Sequence, residues 1–228
     1  MAPQEPTPFD LAYTGKTAAV KILLNENLKL KSETDSNGRM LIHWAALGGH
    51  DDLVTHLLSL GVPVDPVDDT NMTPLILAAS AGRDKVVNVL LNEGADLNAK
   101  TMDGHSALQY AASKNWKTIC AALLEKEADI NICDKRGATP LHRAASKGNT
   151  AIVKLLLEYG NILKIDSRDA SGNTALHLAC EEDREEEAKL LMSNGADVTV
   201  TNKLGKTPFD LAKPGLLRQL KEIKERNV

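Results

Sequence analysis

A seven-residue phrase returns about every 33 residues along this chain. Its clearest copy runs from Thr139 to Ala145 and reads Thr-Pro-Leu-His-Arg-Ala-Ala. Successive copies are spaced by 33, 33, 33, 33, 35 and 33 residues, counted between the markers Thr7, Met40, Thr73, Ser106, Thr139, Thr174 and Thr207. Such a period is typical of stacked supersecondary units, each of which buries its apolar face only against its neighbours. We therefore expect an array whose function lies on a surface rather than in a pocket.

The period and the Thr-Pro-Leu-His-x-Ala core resemble the ankyrin-repeat family. The resemblance implies an all-α repeat solenoid of seven ankyrin repeats, each a β-turn followed by two antiparallel helices. We predict one domain over residues 1–228, with capping repeats at 1–34 and 202–228 and five internal repeats at 35–201. The two extra residues fall between Gly160 and Asp169 and should lengthen one loop without disturbing the helical stack.

Residues 134–168 show how one repeat is specified. Thr139 is predicted to cap the first helix, Pro140 to occupy its first position, and Gly148 to end it. The apolar pattern that follows predicts a second helix from Ala151 to Tyr159. In the last repeat, the closing helix is predicted from Leu216 to Arg226.

Composition excludes several classes of protein. The net charge of −4 and pI of about 5.9 argue against a nucleic-acid partner. Three cysteines without a Cys-x-x-Cys spacing indicate reduced thiols and a cytoplasmic and nuclear protein. We identify neither a signal peptide nor an apolar run of about 18 residues, so no membrane association is expected. With polar caps at both ends, the chain is expected to be a monomer.

Motifs that could carry chemistry are weak. Gly15-Lys16-Thr17 resembles the end of a P-loop, but Asp10 stands where the first glycine belongs. His43 occupies the His position of the repeat phrase, where the imidazole is expected to join adjacent repeats by hydrogen bonds, as are His142 and His177. The alternative of a zinc site at His43, His50 and His56 lacks a nearby cysteine. We therefore predict no enzyme, no metal and no cofactor, with Cys120 and Cys180 buried as small apolar side chains.

The candidate site consists of residues that the repeat itself does not require, at turn tips and on the exposed side of each first helix. Together they are predicted to line a concave face with acidic, basic and acidic bands, the last supported by Glu185 to Glu187. Ordinary solvated charge and, for the aromatic residues, burial between repeats are the alternatives. The predicted partner-binding residues are Asp35, Arg39, Trp44, Asp68, Asp69, Met72, Tyr110, Lys114, Trp116, Arg136, Arg143, Lys147, Glu181 and Glu182.

Several phrases are specific to individual repeats: Ile42–Ala46, Leu60–Val64, Ala78–Asp84, Tyr110–Asn115, His142–Asn149 and Leu176–Glu181. In this respect the chain resembles the gankyrin family, the non-ATPase subunit 10 proteins of the proteasome regulatory particle. The resemblance implies an assembly chaperone whose concave face binds the C-terminal domain of one ATPase subunit, the third of the ring. The contacts it implies fall on Arg39, Asp68, Asp69, Lys114 and Glu182. Met72 departs from the family, which tends to have Trp there.

The family also carries an L-x-C-x-E motif linked to binding of retinoblastoma-type pocket proteins. Here it is formed by Leu178, Cys180 and Glu182, and it begins inside a predicted helix, whereas pocket proteins bind such peptides extended. Family members further associate with a cyclin-dependent kinase and with a ubiquitin ligase. A cell-cycle regulator that binds a kinase or a pocket protein is therefore the alternative to the chaperone.

Overall fold

The structure, a computed structural model, describes residues 5–226, in which short helices alternate with turns and loops. Seven antiparallel helix pairs and one 3-10 helix (Leu28–Lys31) occur in this range, and no strand does. This confirms the predicted all-α repeat solenoid and its seven repeats. The helices are α1 (Pro8–Tyr13), α2 (Thr17–Glu26), α3 (Leu41–Gly48), α4 (Asp51–Ser59), α5 (Pro74–Ser80), α6 (Asp84–Asn92), α7 (Ala107–Ser113), α8 (Lys117–Glu125), α9 (Pro140–Lys147), α10 (Thr150–Leu157), α11 (Ala175–Glu181), α12 (Glu185–Ser193), α13 (Pro208–Leu211) and α14 (Pro214–Arg226).

Two compact units divide the chain, an N-terminal unit (Met1–Ala107) and a C-terminal unit (Leu108–Val228). In the N-terminal unit, the first helices α1, α3 and α5 pack in a row, and α4 packs on α6. In the C-terminal unit, α9, α11 and α13 form one row, and α8, α10, α12 and α14 form a second. Each unit thus consists of neighbouring repeats in contact along the chain.

Threonine hydroxyls fix where the first helices begin. The side chains of Thr7, Thr73, Thr139, Thr174 and Thr207 each accept a hydrogen bond from the backbone N–H three residues later. Each hydroxyl satisfies one of the N–H groups left without a partner at a helix start. Thr139 and Pro140 have the predicted roles, because α9 begins at Pro140 with Thr139 as its cap.

Two predicted helix bounds differ from the structure. The second helix of the fifth repeat runs over Thr150–Leu157 rather than Ala151 to Tyr159. The last helix begins at Pro214 rather than Leu216, because the first turn of a helix needs no N–H from the proline. The end of α9 is as predicted, since Gly148 has φ of +71°, a left-handed conformation that glycine adopts without steric cost.

The core is made of small and branched aliphatic side chains. The paired alanines of the phrase, among them Ala45, Ala46, Ala144 and Ala145, are fully buried. They lie in first helices, where a small side chain permits close helix packing. Leucine, isoleucine and valine from the second helices fill the remaining volume, so few aromatic residues are needed.

The two extra residues lengthen the loop after α10, as predicted. Asn131 holds this loop, donating from Nδ2 to the carbonyl of Ile162 at 2.8 Å and accepting at Oδ1 from the Lys164 N–H at 2.8 Å. The helices on either side still pack, α9 on α11 and α10 on α12. The insertion therefore alters a surface loop and leaves the stack intact.

Candidate protein-binding surface

In five of the turns that precede a first helix, an acid or amide at the start organises the turn backbone. In Asp35, Asp68, Asp134, Asp169 and Asn202, Oδ1 accepts the backbone N–H groups two and four residues later, at 2.8–3.0 Å. Such side-chain bonds replace backbone pairing in a tight turn. Asp35 and Asp68 were expected to be residues that the repeat does not require. That expectation is wrong, because their turns depend on them.

In the N-terminal unit, the second carboxylate oxygens of Asp35 and Asp68, Oδ2, bind side chains that form a cluster. Arg39 Nε donates to Asp68 Oδ2 at 2.9 Å, and Trp44 Nε1 donates to Asp35 Oδ2 at 3.0 Å. The guanidinium carbon of Arg39 lies 5.0 Å from the centre of the Trp44 ring, within cation–π range. The Tyr13 ring meets Trp44 edge-on with centroids 5.7 Å apart. We call these five residues the Trp44 cluster.

Electrostatics keep the cluster ionised. Burial acts to raise the pKa of Asp68, but hydrogen bonds from Met72, Thr70 and Arg39 outweigh it and lower that pKa below its ordinary value. The pKa of Asp35 is lowered in the same way, against the effect of burial. The Asp68 side chain is 2% exposed and that of Arg39 is 21% exposed. The ion pair with Asp68 is made by the Nε of Arg39.

Asp69 and Met72 complete the predicted site in this unit. Asp69 is exposed at the turn tip, where its backbone N–H donates to the Asn37 carbonyl at 3.0 Å. Met72 is half-buried, and its N–H is one of the two bound by Asp68. The structure thus brings together five of the six predicted residues of the N-terminal unit directly around Asp68 and Trp44, with Asp69 beside them in the same turn.

In the C-terminal unit, Arg143 occupies the repeat position that Trp44 has in the second repeat. Each lies nine residues after its turn aspartate and binds the Oδ2 of that residue. The Arg143–Asp134 pair couples a half-exposed guanidinium to a carboxylate that is 1% exposed. Burial acts to raise the pKa of Asp134, and the bonds from Arg143 and the turn N–H groups lower it overall. The positive charge of Arg143, which the sequence places in the basic band, is therefore paired with Asp134.

The other predicted basic residues of this unit are open to solvent. Lys114, Arg136 and Lys147 are exposed, and Tyr110 is half-buried. Trp116 stands at the N-cap of α8 and is 39% exposed. Three of the four predicted cationic side chains are thus presented at the surface, together with one large aromatic ring.

The acidic band is narrower than the sequence predicts. Glu181 and Glu182 are exposed at the end of α11. Glu187 was expected to support them, but it is 3% exposed, and the Thr150 hydroxyl donates to its Oε1. It lies on the inner side of α12, where it joins this helix to α10. Lys189 lies 3.5 Å and 3.7 Å from the carboxylates of Glu185 and Glu186.

The L-x-C-x-E motif lies where the sequence places it, in a helix. Leu178 and Cys180 belong to α11, and Glu182 is its C-cap. Cys180 is fully buried, and burial raises the pKa of its thiol to about 12. Cys120, in α8, is likewise fully buried with a pKa of about 12. The predicted burial of these two cysteines is confirmed, and extended binding of the motif would require α11 to unfold.

The histidines of the repeat phrase have the predicted structural role. Nδ1 of His142 accepts the Thr139 N–H at 3.1 Å, so Nε2 carries the proton and donates to the Asn173 carbonyl of the next repeat at 2.9 Å. His177 makes the same pair of bonds, reaching the Lys206 carbonyl at 3.0 Å. Burial lowers the pKa of both imidazoles. Over residues 5–226, no group of three or more His, Cys, Asp or Glu side chains is placed to hold a metal ion.

Two members of these clusters were missed by sequence reasoning. Tyr13 lies in the first repeat, 31 residues before Trp44, and nothing in its local sequence shows that the rings meet. Asp134 could have been found, because aspartate precedes the variable position of the first helix by nine residues at Asp35, Asp68 and Asp134 alike. The recurrence indicates a side-chain bond to whichever donor occupies that position.

Helix pairs stacked in register, with polar and aromatic side chains presented at turns and first helices, define a protein-binding repeat scaffold. The family model for "Ankyrin repeats (3 copies)" matches residues 9–101, 93–166 and 108–202, and the chain belongs to this family. Among solved structures, the ankyrin repeat domain of human ASB11 has a TM-score of 0.85 and 28% identity, covering 96% of this chain and 98% of that one. The ankyrin repeat domain of Bcl-3 has a TM-score of 0.83 and 25% identity, covering 97% of this chain and 100% of that one.

Curated relatives match over shorter segments. The human 26S proteasome non-ATPase regulatory subunit 10 is 46% identical over 65 residues, which are 28% of this chain and 29% of the relative. Human protein phosphatase 1 regulatory subunit 27 is 45% identical over 62 residues, 27% of this chain and 39% of the relative. The matched segments thus span well under half of either relative. In the described part of the chain, no helix is long and apolar enough to cross a membrane.

Proposed function

We propose that the chain is a non-enzymatic chaperone in assembly of the proteasome regulatory particle. It binds the C-terminal domain of one ATPase subunit, the third of the ring, and by occupancy delays docking onto the proteolytic core. The segment shared with the proteasome subunit carries this proposal. The predicted cytoplasmic and nuclear location and the monomeric state belong to the same proposal.

Arg39 is the residue on which we place most of the specific binding. The ion pair with Asp68 and the Trp44 ring hold its guanidinium in position before a partner arrives. Its terminal amino groups can then bind a carboxylate bidentately, with little loss of side-chain entropy. Exposed Lys114 and Glu182 supply charges of opposite sign, which select a partner with the complementary pattern.

A second candidate is regulation of a protein phosphatase. The segment shared with protein phosphatase 1 regulatory subunit 27 favours it, since the identity and length of that match are close to those of the proteasome match. The cell-cycle alternative gains no support from the L-x-C-x-E motif, because Cys180 is buried in α11.

Calorimetry with the purified ATPase C-terminal domain tests the proposal. Binding should weaken as the salt concentration rises from 0.05 to 0.5 M. The Debye length, the distance over which exposed charges interact, falls from about 10 Å at 0.1 M to about 3 Å at 1 M. Lys114→Glu, Glu182→Lys and Arg39→Lys should each weaken it, whereas Lys117→Glu, an exposed residue outside the predicted site, should not. Binding that ignores salt and all three changes would refute the proposed interface. Phosphatase 1 catalytic subunit binding in place of the ATPase domain would favour the second candidate.

A further inference from the structure

A groove in the C-terminal unit, lined by both apolar and acidic side chains, shares no residue with the surface described above. It has a volume of about 560 Å³ and lies between the end of α8, the loop after it and the lengthened loop after α10. Its floor is formed by the buried side chains of Leu124, Ala128 and Ile130. Its wall is formed by half-buried Tyr159 and by Ile162, which is 54% exposed.

One residue of the wall, Ile162, lies in the loop that the two extra residues of the fifth repeat lengthen. Asn131 fixes the lengthened loop through its bonds to the Ile162 carbonyl and the Lys164 N–H. Ile162 is therefore held at the groove through its carbonyl, which accepts from the Asn131 side chain, while the residue is 54% exposed. An exposed branched aliphatic side chain on a fixed loop beside an apolar floor is a feature of binding sites rather than of a solvated loop.

The rim of the groove is acidic. Glu125, Glu127 and Asp129 line it, and all three are exposed. The nearest cations in sequence, Lys126 and Lys164, do not line it. Glu127 has φ of +67° at a position where the corresponding residues Gly61, Gly94 and Gly195 have φ of +78°, +79° and +89°. A glutamate in this left-handed conformation is strained, whereas glycine would not be. Such backbone strain is found at functional sites.

We propose that this groove binds a short peptide segment of a partner protein in which one apolar side chain is flanked by lysine or arginine. The apolar side chain enters between Ile162, Tyr159 and the floor, and the flanking cations pair with the acidic rim. Charge selects this occupant over a second copy, because the chain carries a net charge of −4. The proposal is independent of the proposed chaperone function.

Fluorescence anisotropy with a labelled peptide, Gly-Ser-Lys-Lys-Leu-Lys-Lys-Ser-Gly, tests it. The peptide should bind the full chain, and its Kd should rise at least about fivefold for Ile162→Ser and for Glu127→Gly. Glu127→Gly should not lower the melting temperature, which separates lost binding from lost folding. Two controls should bind within about twofold of the wild type: Leu28→Ser, a residue 53% exposed in the N-terminal unit, and Glu26→Gln.

Three outcomes would overturn the proposal. The first is that a peptide with alanine in place of leucine binds equally well, which would show only general attraction of cations. The second is that neither groove variant changes the Kd, or that no binding is measured up to about 1 mM. The third is that the chain sediments as a dimer that Ile162→Ser dissociates, since the groove would then be an interface between two copies.

Discussion

At the scale of single residues, Asp35, Asp68 and Asp134 each use one carboxylate oxygen for the turn backbone and the other for a side chain. Oδ1 of Asp68 accepts two backbone N–H groups of its turn, while Oδ2 accepts from Nε of Arg39. From sequence alone, Arg39→Glu would be expected to change binding without changing the melting temperature. The structure corrects this, because the new carboxylate would face a buried one across about 3 Å. We expect this reversal to cost about 3 kcal/mol or more of stability, since it replaces a pair by a repulsion.

The variant Asp68→Asn separates the turn bonds of Asp68 from its ion pair with Arg39. Asn202 shows that an amide oxygen can make the two turn bonds, so the variant should keep the turn. It should lose both the charge and the acceptor that bind Arg39, because the amide nitrogen in place of Oδ2 is a donor. The lowered folded pKa of Asp68 means that its ionic contribution is complete above about pH 4 and is lost as the pH falls through the folded pKa. We therefore expect the variant to be less stable than the wild type by about 1–2 kcal/mol at pH 7 and by a smaller amount at about pH 2.

Urea unfolding at both pH values measures this difference. Asp69→Asn, at the exposed neighbouring position, is the matched control and should stay within about 0.5 kcal/mol of the wild type at either pH. A stability gap for Asp68→Asn that persists unchanged in acid would show that the amide fails in the turn rather than in the ion pair.

His142→Gln tests the histidine position. Gln109 occupies the same position in the fourth repeat and donates from Nε2 to the Ala138 carbonyl at 2.6 Å. Burial lowers the folded pKa of His142, so its contribution is complete above the unfolded value of about 6.5 and is lost as the pH falls through the folded value. The variant should therefore lose less stability than the wild type between pH 7 and pH 5, measured by thermal unfolding. A loss of stability for His142→Gln equal to that of the wild type over this pH range would contradict the argument.

At the scale of helices, periodicity predicts more than charge does. The capped first helices and apolar second helices were predictable, because caps and a 3.6-residue apolar pattern depend on nearby residues. The acidic band was only partly predictable. Glu187 follows Glu185 and Glu186 in sequence, yet a helix rotates by about 100° per residue, which turns the third acid inward. Its partner Thr150 belongs to another repeat, so no local sequence pattern predicts the contact between them.

Glu187→Ala should thus differ from its neighbours. Removal of the carboxylate leaves the Thr150 hydroxyl without its partner, and we expect a loss of about 1–3 kcal/mol in the free energy of unfolding. Glu186→Ala should change it by less than about 0.5 kcal/mol, because its contact with Lys189 is a surface pair at 3.7 Å. Urea unfolding of both variants and of Thr150→Ala measures the coupling. Additive losses in the double variant Thr150→Ala with Glu187→Ala would show that the two side chains do not interact.

At the scale of the whole molecule, the last repeat covers the apolar surface of the sixth. Helix α14 packs on α12 and buries Leu216 and Leu220, which are 1% and 0% exposed. Deletion of residues 205–228 should expose Leu191 and lead to aggregation or partial unfolding, seen by size-exclusion chromatography with light scattering. Leu220→Asp, at full length, should cost at least about 3 kcal/mol, while Lys221→Asp at the exposed next position should cost little. A monomeric deletion product as stable as the full chain would rule out this capping role.

The site was less predictable than the fold for a physical reason. The repeat phrase recurs because each copy meets the same neighbours, so a spacing suffices to find it. The Trp44 cluster depends on contacts between side chains of different repeats, as the pairs Arg39–Asp68 and Tyr13–Trp44 show. Sequence reasoning therefore found the exposed Lys114 and Glu182 but counted paired Arg143 and buried Glu187 among the surface charges.

Adjacent turns are also joined through backbone atoms alone. Asp69 N–H donates to the Asn37 carbonyl and Met102 N–H to the Thr70 carbonyl in the N-terminal unit, and in the C-terminal unit Ala170 and Lys203 donate in the same way to Arg136 and Ser171. A bond between peptide groups makes no demand on the side chains at the tips. The tips can consequently diverge in sequence while the register between repeats is inherited unchanged. A gene encoding such a chain can gain or lose one repeat by duplication or deletion, and the repeats that become neighbours can still form these backbone hydrogen bonds.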